Sequence, residues 1–211
     1  MALPRFVLHH APQSRSDRIV WLMEEARASY EVVRHDLRRG TQKEPAFLAI
    51  NPFGKVPAIE DRGPEGDWRG VVVTESEAIC AYVADVLPDA NLAPPVGSPL
   101  RAAYATWMSY CPSVLEPAFT DQVFPRAAEV PRSSIGWPEF PQALARIEQT
   151  LAGGGPYLLG DTFSAADVMV GSLLQWIVMW GKAEPGPAVA RYLGALEARE
   201  AYRRARAAAA A

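Results

Sequence analysis

The sequence predicts an α/β domain followed by an all-helical domain, and three observations carry that prediction. Strand and helix signals alternate through residue 87, a proline-rich stretch then breaks all regularity, and every periodic segment beyond it repeats at helical spacing. The expected division is therefore 1–87 for the α/β domain, 88–98 for a linker, and 99–211 for the helical domain.

Each element has its own signal. Phe6-Val7-Leu8 is a short apolar strand, and Ile19, Val20, Leu22, Met23 and Ala26 mark one face of a helix. Tyr30 to Leu37 reads as a second strand, and Glu44 to Ile50 as a short helix ended by Asn51-Pro52. Val56 to Asp61 and Gly70 to Val73 form two strands whose Gly-, Pro- and charge-rich connection favours an antiparallel hairpin. Glu75 to Leu87 closes the unit as a helix. Strand-helix-strand followed by strand-strand-helix is a thioredoxin-like arrangement.

Pro88 to Pro99 holds four prolines and a glycine in twelve residues, so it cannot be regular structure. Leu100 to about Phe124 is then a long helix bent at Pro112 and Pro117. Pro125 to Trp137 is irregular, and Pro141 to Leu151 is a helix stopped by three glycines. Ser164 to Trp180 is apolar enough to be the centre of this domain. Ser164 and Asp167 have capping-box spacing there, with Phe163 and Val168 placed as a staple. Ala188 onward is expected as one last helix, with Arg199, Glu200, Arg203, Arg204 and Arg206 on its solvated face.

Composition excludes several classes of function. A formal charge of −3 provides no basic field for nucleic acid, and no Lys/Arg run suggests a membrane surface. No apolar stretch approaches the ~20 residues needed to span a bilayer, and the N-terminus lacks a signal pattern. Cys80 and Cys111 fall in apolar helical runs, which favours reduced thiols and a cytoplasmic setting over a disulfide. There is no Cys-x-x-Cys and no His/Cys ligand spacing, so no metal is expected.

Two segments point to a ligand. In Asn51-Pro52-Phe53-Gly54-Lys55-Val56-Pro57 a tight turn feeds a strand with proline near its start, a residue that cannot join the ladder. A cis Val56-Pro57 bond would turn the Val56 backbone outward to pair with an extended peptide. In Thr74-Glu75-Ser76-Glu77-Ala78-Ile79 a helix start offers free N–H groups to a carboxylate. Together they describe a site for a small acidic peptide, although Thr74 and Glu77 also have capping-box spacing that needs no ligand.

These segments resemble the glutathione transferase superfamily, and so does nearly the whole chain in order. Leu8-His9-His10-Ala11-Pro12-Gln13-Ser14-Arg15-Ser16 leads into the helix Asp17 to Glu25, and Tyr157 to Val168 resembles the family's signature in its helical domain. The resemblance implies a homodimer that conjugates glutathione, as co-substrate, to small hydrophobic electrophiles in detoxification. Aligned through Pro12 and Arg18, Ser14 falls where serine-type classes carry their catalytic serine. Ser16, which is also a natural N-cap, and Arg15, where some bacterial classes have a cysteine, are the competitors. His9 lies near the place of the catalytic tyrosine of other classes, so that mechanism is absent. The resemblance further implies that the Val56 backbone before Pro57 pairs with the cysteinyl part of glutathione. Glu75 and Ser76 would hold the γ-glutamyl end, and Lys55 is a candidate for the glycyl carboxylate, assisted by Gln42 or Lys43. An electrophile pocket is expected between the active-site loop and the helix after the linker. Tyr104, Trp107, Met108, Tyr110 and Cys111 would line it, with Trp176 or Trp180 behind, though an aromatic stripe at this spacing also suits a core. His10 and His35 read as a loop-edge and a strand-surface histidine, and the six tryptophans as packing elements. The same scaffold also suits a glutathione-dependent disulfide or peroxide reductase, an isomerase, or a non-catalytic stress-interaction protein.

Overall fold

A computed structural model describes residues 3–127 and 130–210. The chain forms two compact units: one runs up to Leu92 and includes the C-terminal stretch from Arg199, and the other is Ala93–Ala198. The expected irregular loop 125–137 holds one 3-10 turn at Arg132–Ser134, and its residues Ala128 and Glu129 lie outside the described residues, as does Ala211 of the tail.

The first unit is built on a mixed sheet of order β2-β1-β3-β4. Strand β1 (Phe6–His10) is buried at all five positions because it is an interior strand. It pairs parallel with β2 (Tyr30–Arg34), Phe6 facing Tyr30, and antiparallel with β3 (Ala58–Asp61), Leu8 facing Ile59. An interior strand covered on both faces reads as a continuous apolar run, which is how Phe6-Val7-Leu8 appears in the sequence. Strand β4 (Val72–Thr74) completes the hairpin, Ala58 facing Thr74. The hairpin loop folds back so that Trp68 covers Gly63, where φ is +77° and a Cβ would meet the indole at 2.6 Å. Helices α1 (Asp17–Glu25), α2 (Pro45–Leu48) and α3 (Ser76–Val86) supply the rest of this thioredoxin-like unit.

The expected single last helix is in fact two, α8 (Pro187–Glu197) and α9 (Glu200–Ala210), and only α9 belongs to the first unit. Its arginines do not form a merely solvated face. Arg199 grips the buried Glu25 carboxylate of α1 through two nitrogens at 2.6 and 2.7 Å, and Arg204 donates to Glu24 Oε2 at 2.7 Å and to its carbonyl at 2.9 Å. Trp21 packs edge-on against Tyr202 with centroids 5.1 Å apart.

In the second unit α4 (Leu100–Tyr110) runs through a π-turn at Cys111–Leu115 into α5 (Glu116–Val123), so the long helix is interrupted where Pro112 and Pro117 remove backbone donors. Helix α6 (Phe140–Ala152) starts with a Glu139/Gln142 capping box. Helix α7 (Ala165–Met179) is the buried centre, and Asp167 closes its box by accepting from the Ser164 amide and hydroxyl at 2.9 and 3.1 Å. Glu148 of α6 reaches across to α8 and accepts the Ala188 and Val189 amides at 2.7 and 2.9 Å, capping a helix that has no polar residue of its own at that end. Cys80 and Cys111 are both buried, one in each unit, and no disulfide joins them. Trp68 and Trp180 are exposed by two-fifths or more yet still pack, Trp68 over Gly63 and Trp180 against Phe119 and Trp176.

Candidate active site

The loop between β1 and α1 is organised around hydroxyls. Gln13 takes a left-handed φ of 58°, which turns the chain so that Ser14 and Ser16 converge. Ser14 is half-buried, Arg15 is exposed, and Ser16 is sealed from solvent. Ser16 occupies the N-cap position of α1 but makes no cap bond, contrary to the N-cap reading of its side chain. Its hydroxyl is spent elsewhere: it lies 2.7 Å from His10 Nδ1, 2.7 Å from Ser14 Oγ, 3.0 Å from the Ala11 amide and 3.0 Å from the Ala11 carbonyl. Ser14 Oγ is 2.7 Å from the Ala11 carbonyl and accepts the Ser16 amide at 3.1 Å.

His10 is therefore not a loop-edge residue. It is buried at the end of β1, where burial above all, and then the Arg34 charge, lower its pKa to about 4. Its Nε2 stands 3.9 Å from Asp17 Oδ1, and neither atom has a hydrogen-bond partner among the described residues. Burial raises Asp17 to about 6, against the pull of Arg206. His35 is likewise buried, not on the strand surface: its ring packs on Phe47 at 4.3 Å, and its Nε2 meets His9 Nδ1 at 3.1 Å. His9 in turn meets Glu60 Oε1 at 3.1 Å. The His9 contacts to His35 and Glu60 follow from the pairing of β1 with β2 and β3, between residues far apart in sequence, which the linear pattern does not display.

The second wall is the Asn51–Pro57 loop, where the Val56–Pro57 bond is cis. Asn51, expected as a helix stop and the start of the tight turn but not as a side chain that bonds it, is the buried organiser of this loop. Its side chain donates to the Lys55 carbonyl at 2.8 Å and accepts the Phe53 amide at 3.2 Å. An Asn followed by Pro after a short helix was the available signal, since such a side chain commonly bonds the backbone two residues on. Gly54 (φ +56°) lies so close to the Gln42 carbonyl that a Cβ would meet it at 2.6 Å. Lys43 Nζ is drawn to the Phe53 carbonyl at 2.6 Å, so it shapes this loop, whereas Lys55 is exposed.

At the third wall, Glu75 is the N-cap of α3, with the strained dihedrals φ 67° and ψ 128°. This overturns the capping box expected from Thr74 and Glu77: with the cap at Glu75, the third helical residue is Ala78, which has no group to return. Thr74 instead ends β4, and Ser76 opens the helix half-buried, at the end toward which its first amides point. Beside the first loop, an open cleft of about 550 Å³ is lined by Ala11, Pro12, Gln13 and the segment Arg34 to Arg38.

Of the residues expected along α4, Tyr104, Trp107, Met108 and Cys111 are all buried. Trp107 packs edge-on against Tyr110 at 5.0 Å under the Arg146 guanidinium, and Cys111 Sγ donates to the Met169 carbonyl at 3.2 Å, so both are engaged inside the helical unit. No cluster of three or more His, Cys, Asp or Glu suited to a metal occurs among the described residues.

A strained helix cap, a buried hydroxyl loop and a cis-proline loop on one thioredoxin-like sheet agree with comparison to known families. Residues 5–85 match the family described as glutathione S-transferase, N-terminal domain, and residues 101–207 match its C-terminal domain. The chain belongs to the glutathione S-transferase family. Among its curated relatives is the disulfide-bond oxidoreductase YfcG of Escherichia coli K12, 28% identical over 82% of this chain and 79% of that protein. A glutathione transferase structure from Methylococcus capsulatus is 29% identical, with TM-score 0.79 over 97% of this chain and 98% of its own. A sphingomonad glutathione S-transferase complexed with glutathione is 30% identical, with TM-score 0.74 over 97% and 98% of the two chains.

Proposed function

We propose that this glutathione S-transferase binds glutathione along the Val56 backbone, Glu75 and Ser76, with Lys55 at the glycyl end, and attacks small hydrophobic electrophiles with its thiolate. The observation that carries the reading is Ser14: a half-exposed hydroxyl at the N-terminus of α1, beside a Ser16 hydroxyl that is fully enclosed. A free thiol of pKa about 8.5 is only about 3% ionised at neutral pH. A hydroxyl donating to sulfur at a helix N-terminus favours the anion. Lowering the pKa by about two units takes roughly 2.7 kcal/mol and raises the thiolate fraction about 25-fold. Reduced basicity gives back about tenfold in nucleophilicity at a Brønsted slope near 0.5. The net gain is a few-fold, so most of the rate enhancement comes from holding the electrophile in line. The thiol proton leaves to solvent, sulfur bonds to the electrophilic carbon, and the leaving group departs with its electron pair.

For the electrophile, Tyr104, Trp107, Met108 and Cys111, all of them buried, remain the candidate specificity residues. Arg15 is the alternative partner of the thiolate. Cytoplasmic residence and a homodimer belong to the same proposal; no helix among the described residues is long and apolar enough to cross a membrane. A second reading, glutathione-dependent disulfide reduction, is favoured by the oxidoreductase relative. It uses the same thiolate, because the active-site loop has no cysteine of its own.

Calorimetric titration with reduced glutathione tests the binding step, and saturable binding is expected. Turnover of an aryl halide against a hydroxyethyl disulfide then separates the two chemistries. Absence of heat at millimolar glutathione would overturn both.

A further inference from the structure

We propose that His10, acting through Ser16, is a positioning residue that holds the Ser14 hydroxyl as a hydrogen-bond donor, so that the site favours a bound thiolate over a bound thiol. This rests on the Ser14 reading above. It follows from a count of hydrogens in the buried loop. Two hydroxyls, one imidazole, the Ala11 amide and carbonyl, and the Ser16 amide meet in short contacts around Ser14 and Ser16.

With the imidazole proton on Nδ1, every contact receives a hydrogen except that between Ser16 Oγ and the Ala11 carbonyl at 3.0 Å, the longest of the three oxygen–oxygen contacts. His10 and the Ala11 amide donate to Ser16 Oγ, which fills both of its lone pairs. Ser16 must then donate, and Ser14 Oγ at 2.7 Å takes its proton. Ser14 also accepts the Ser16 amide, so both of its lone pairs are filled, and it directs its own proton to the Ala11 carbonyl. With the imidazole proton on Nε2 the chain breaks. Ser16 donates to His10, and Ser14 has one proton for two acceptors at 2.7 Å, so one of those short oxygen–oxygen contacts is left without a hydrogen. The count of hydrogens at these short contacts decides between the two arrangements, because Nε2, 3.9 Å from Asp17 Oδ1, makes no hydrogen bond in either.

The consequence is chemical selectivity. A hydroxyl whose acceptor positions are both filled can offer a ligand only its proton. The Ser14 proton swings from the Ala11 carbonyl to sulfur when the ligand is a thiolate, and it has no acceptor site for a thiol S–H. Successive donation along the chain also polarises the last O–H. His10 is not a general base here: moving a proton from a thiol near 8.5 to a group lowered to about 4 is uphill by roughly 10⁴-fold. The charged groups that face it are Asp17 on α1 and Arg34 on β2, with Arg206 of α9 acting on Asp17.

The test is the pH titration of the enzyme-bound thiol, read as thiolate absorbance near 240 nm, together with the pH profile of kcat/KM for an aryl halide. Ser14→Ala should raise the bound-thiol pKa by about one unit or more, a tenfold change in ionisation. His10→Leu and Ser16→Ala should each raise it by at least half as much, with their kcat/KM deficits vanishing at alkaline pH where the thiol ionises unaided. His10→Asn restores an N–H near the Nδ1 position and should stay near wild type. If Ser14→Ala leaves the pKa unchanged, the Ser14 reading fails and the inference with it. If Ser14→Ala shifts it but Ser16→Ala does not, or His10→Asn shifts it as far as Ser14→Ala does, only the inference fails. Ser16→Ala and His10→Asn decide the matter even if His10→Leu does not fold.

Discussion

Replacing Asp167 by alanine should destabilise the helical unit by about 3 kcal/mol, and the contacts give that size directly. Oδ1 accepts the Leu158 amide at 2.9 Å, while Oδ2 accepts the Ser164 amide at 2.9 Å and its hydroxyl at 3.1 Å, all out of solvent. Two buried amides left without acceptors cost about 1–3 kcal/mol each, and the Ser164 hydroxyl can rotate to another partner. Against this, the wild type bears the cost of burying the carboxylate, which raises Asp167 to about 6 in spite of its hydrogen bonds. Relief of that cost in the variant brings the net loss down to about 3 kcal/mol. The sign of the pH effect follows from the raised value. A carboxyl whose folded pKa exceeds its unfolded one contributes stability that is full below the unfolded value near 3.8 and is lost as pH rises through 6. The wild type alone holds this group, so its advantage over Asp167→Ala should grow by about 1 kcal/mol between pH 7 and pH 5. Urea unfolding followed by tryptophan fluorescence and by circular dichroism measures both effects. With a slope of about 1.5 kcal/mol/M for a unit of this size, the midpoint should fall by about 2 M. Coincidence of the two probes must be checked, because a chain of two compact units need not unfold in one step. A fall below about 0.5 M, or an advantage that shrinks on acidification, would show that the Asp167 bonds do not anchor the start of α7.

Three further outcomes are expected. Ser14→Ala should leave glutathione affinity within about threefold while lowering kcat/KM toward an aryl halide by about fivefold at pH 6.5, measured by calorimetry and steady-state kinetics. His10 should show the opposite pH sense to Asp167. Its folded pKa lies below its unfolded one, so its stability is full above 6.5 and is lost as pH falls toward 4. Wild type should therefore lose about 2 kcal/mol relative to His10→Asn between pH 7 and pH 4.5, and equal acid sensitivity of the two proteins in thermal melts would contradict this. Arg199→Ala removes the partner of a Glu25 side chain that is only 5% exposed and that also accepts the Trp21 indole N–H at 2.9 Å. A loss of about 2–4 kcal/mol is expected, with partial recovery in the Arg199→Ala/Glu25→Gln double variant, read by thermal denaturation.

Local chemistry made most of the fold legible. Proline spacing marked the interruption of the long helix near Pro112 and Pro117, periodicity marked α1 and α7, and the Ser164/Asp167 box marked a helix start, because each of these constraints acts over a few residues. Failures came where local signals competed or where the partner was distant. Thr74 and Glu77 have the spacing of a cap, yet the strand ladder claims Thr74 and moves the cap to Glu75. A basic tail pattern suggests solvent, but Glu24 and Glu25, some 175 residues earlier in the chain, recruit Arg204 and Arg199. At the site the sequence determined which residues are present: the hydroxyls of the first loop, the Val56-Pro57 step and the helix start at Ser76. Only the tertiary structure decided that Ser16 is sealed while Ser14 is half-exposed, and that His10, carried inward on β1, is hydrogen-bonded to the Ser16 hydroxyl. The reason is physical: a hydroxyl's role depends on which donors and acceptors surround it and whether water can reach it, and the left-handed turn at Gln13 and the burial of β1 set both.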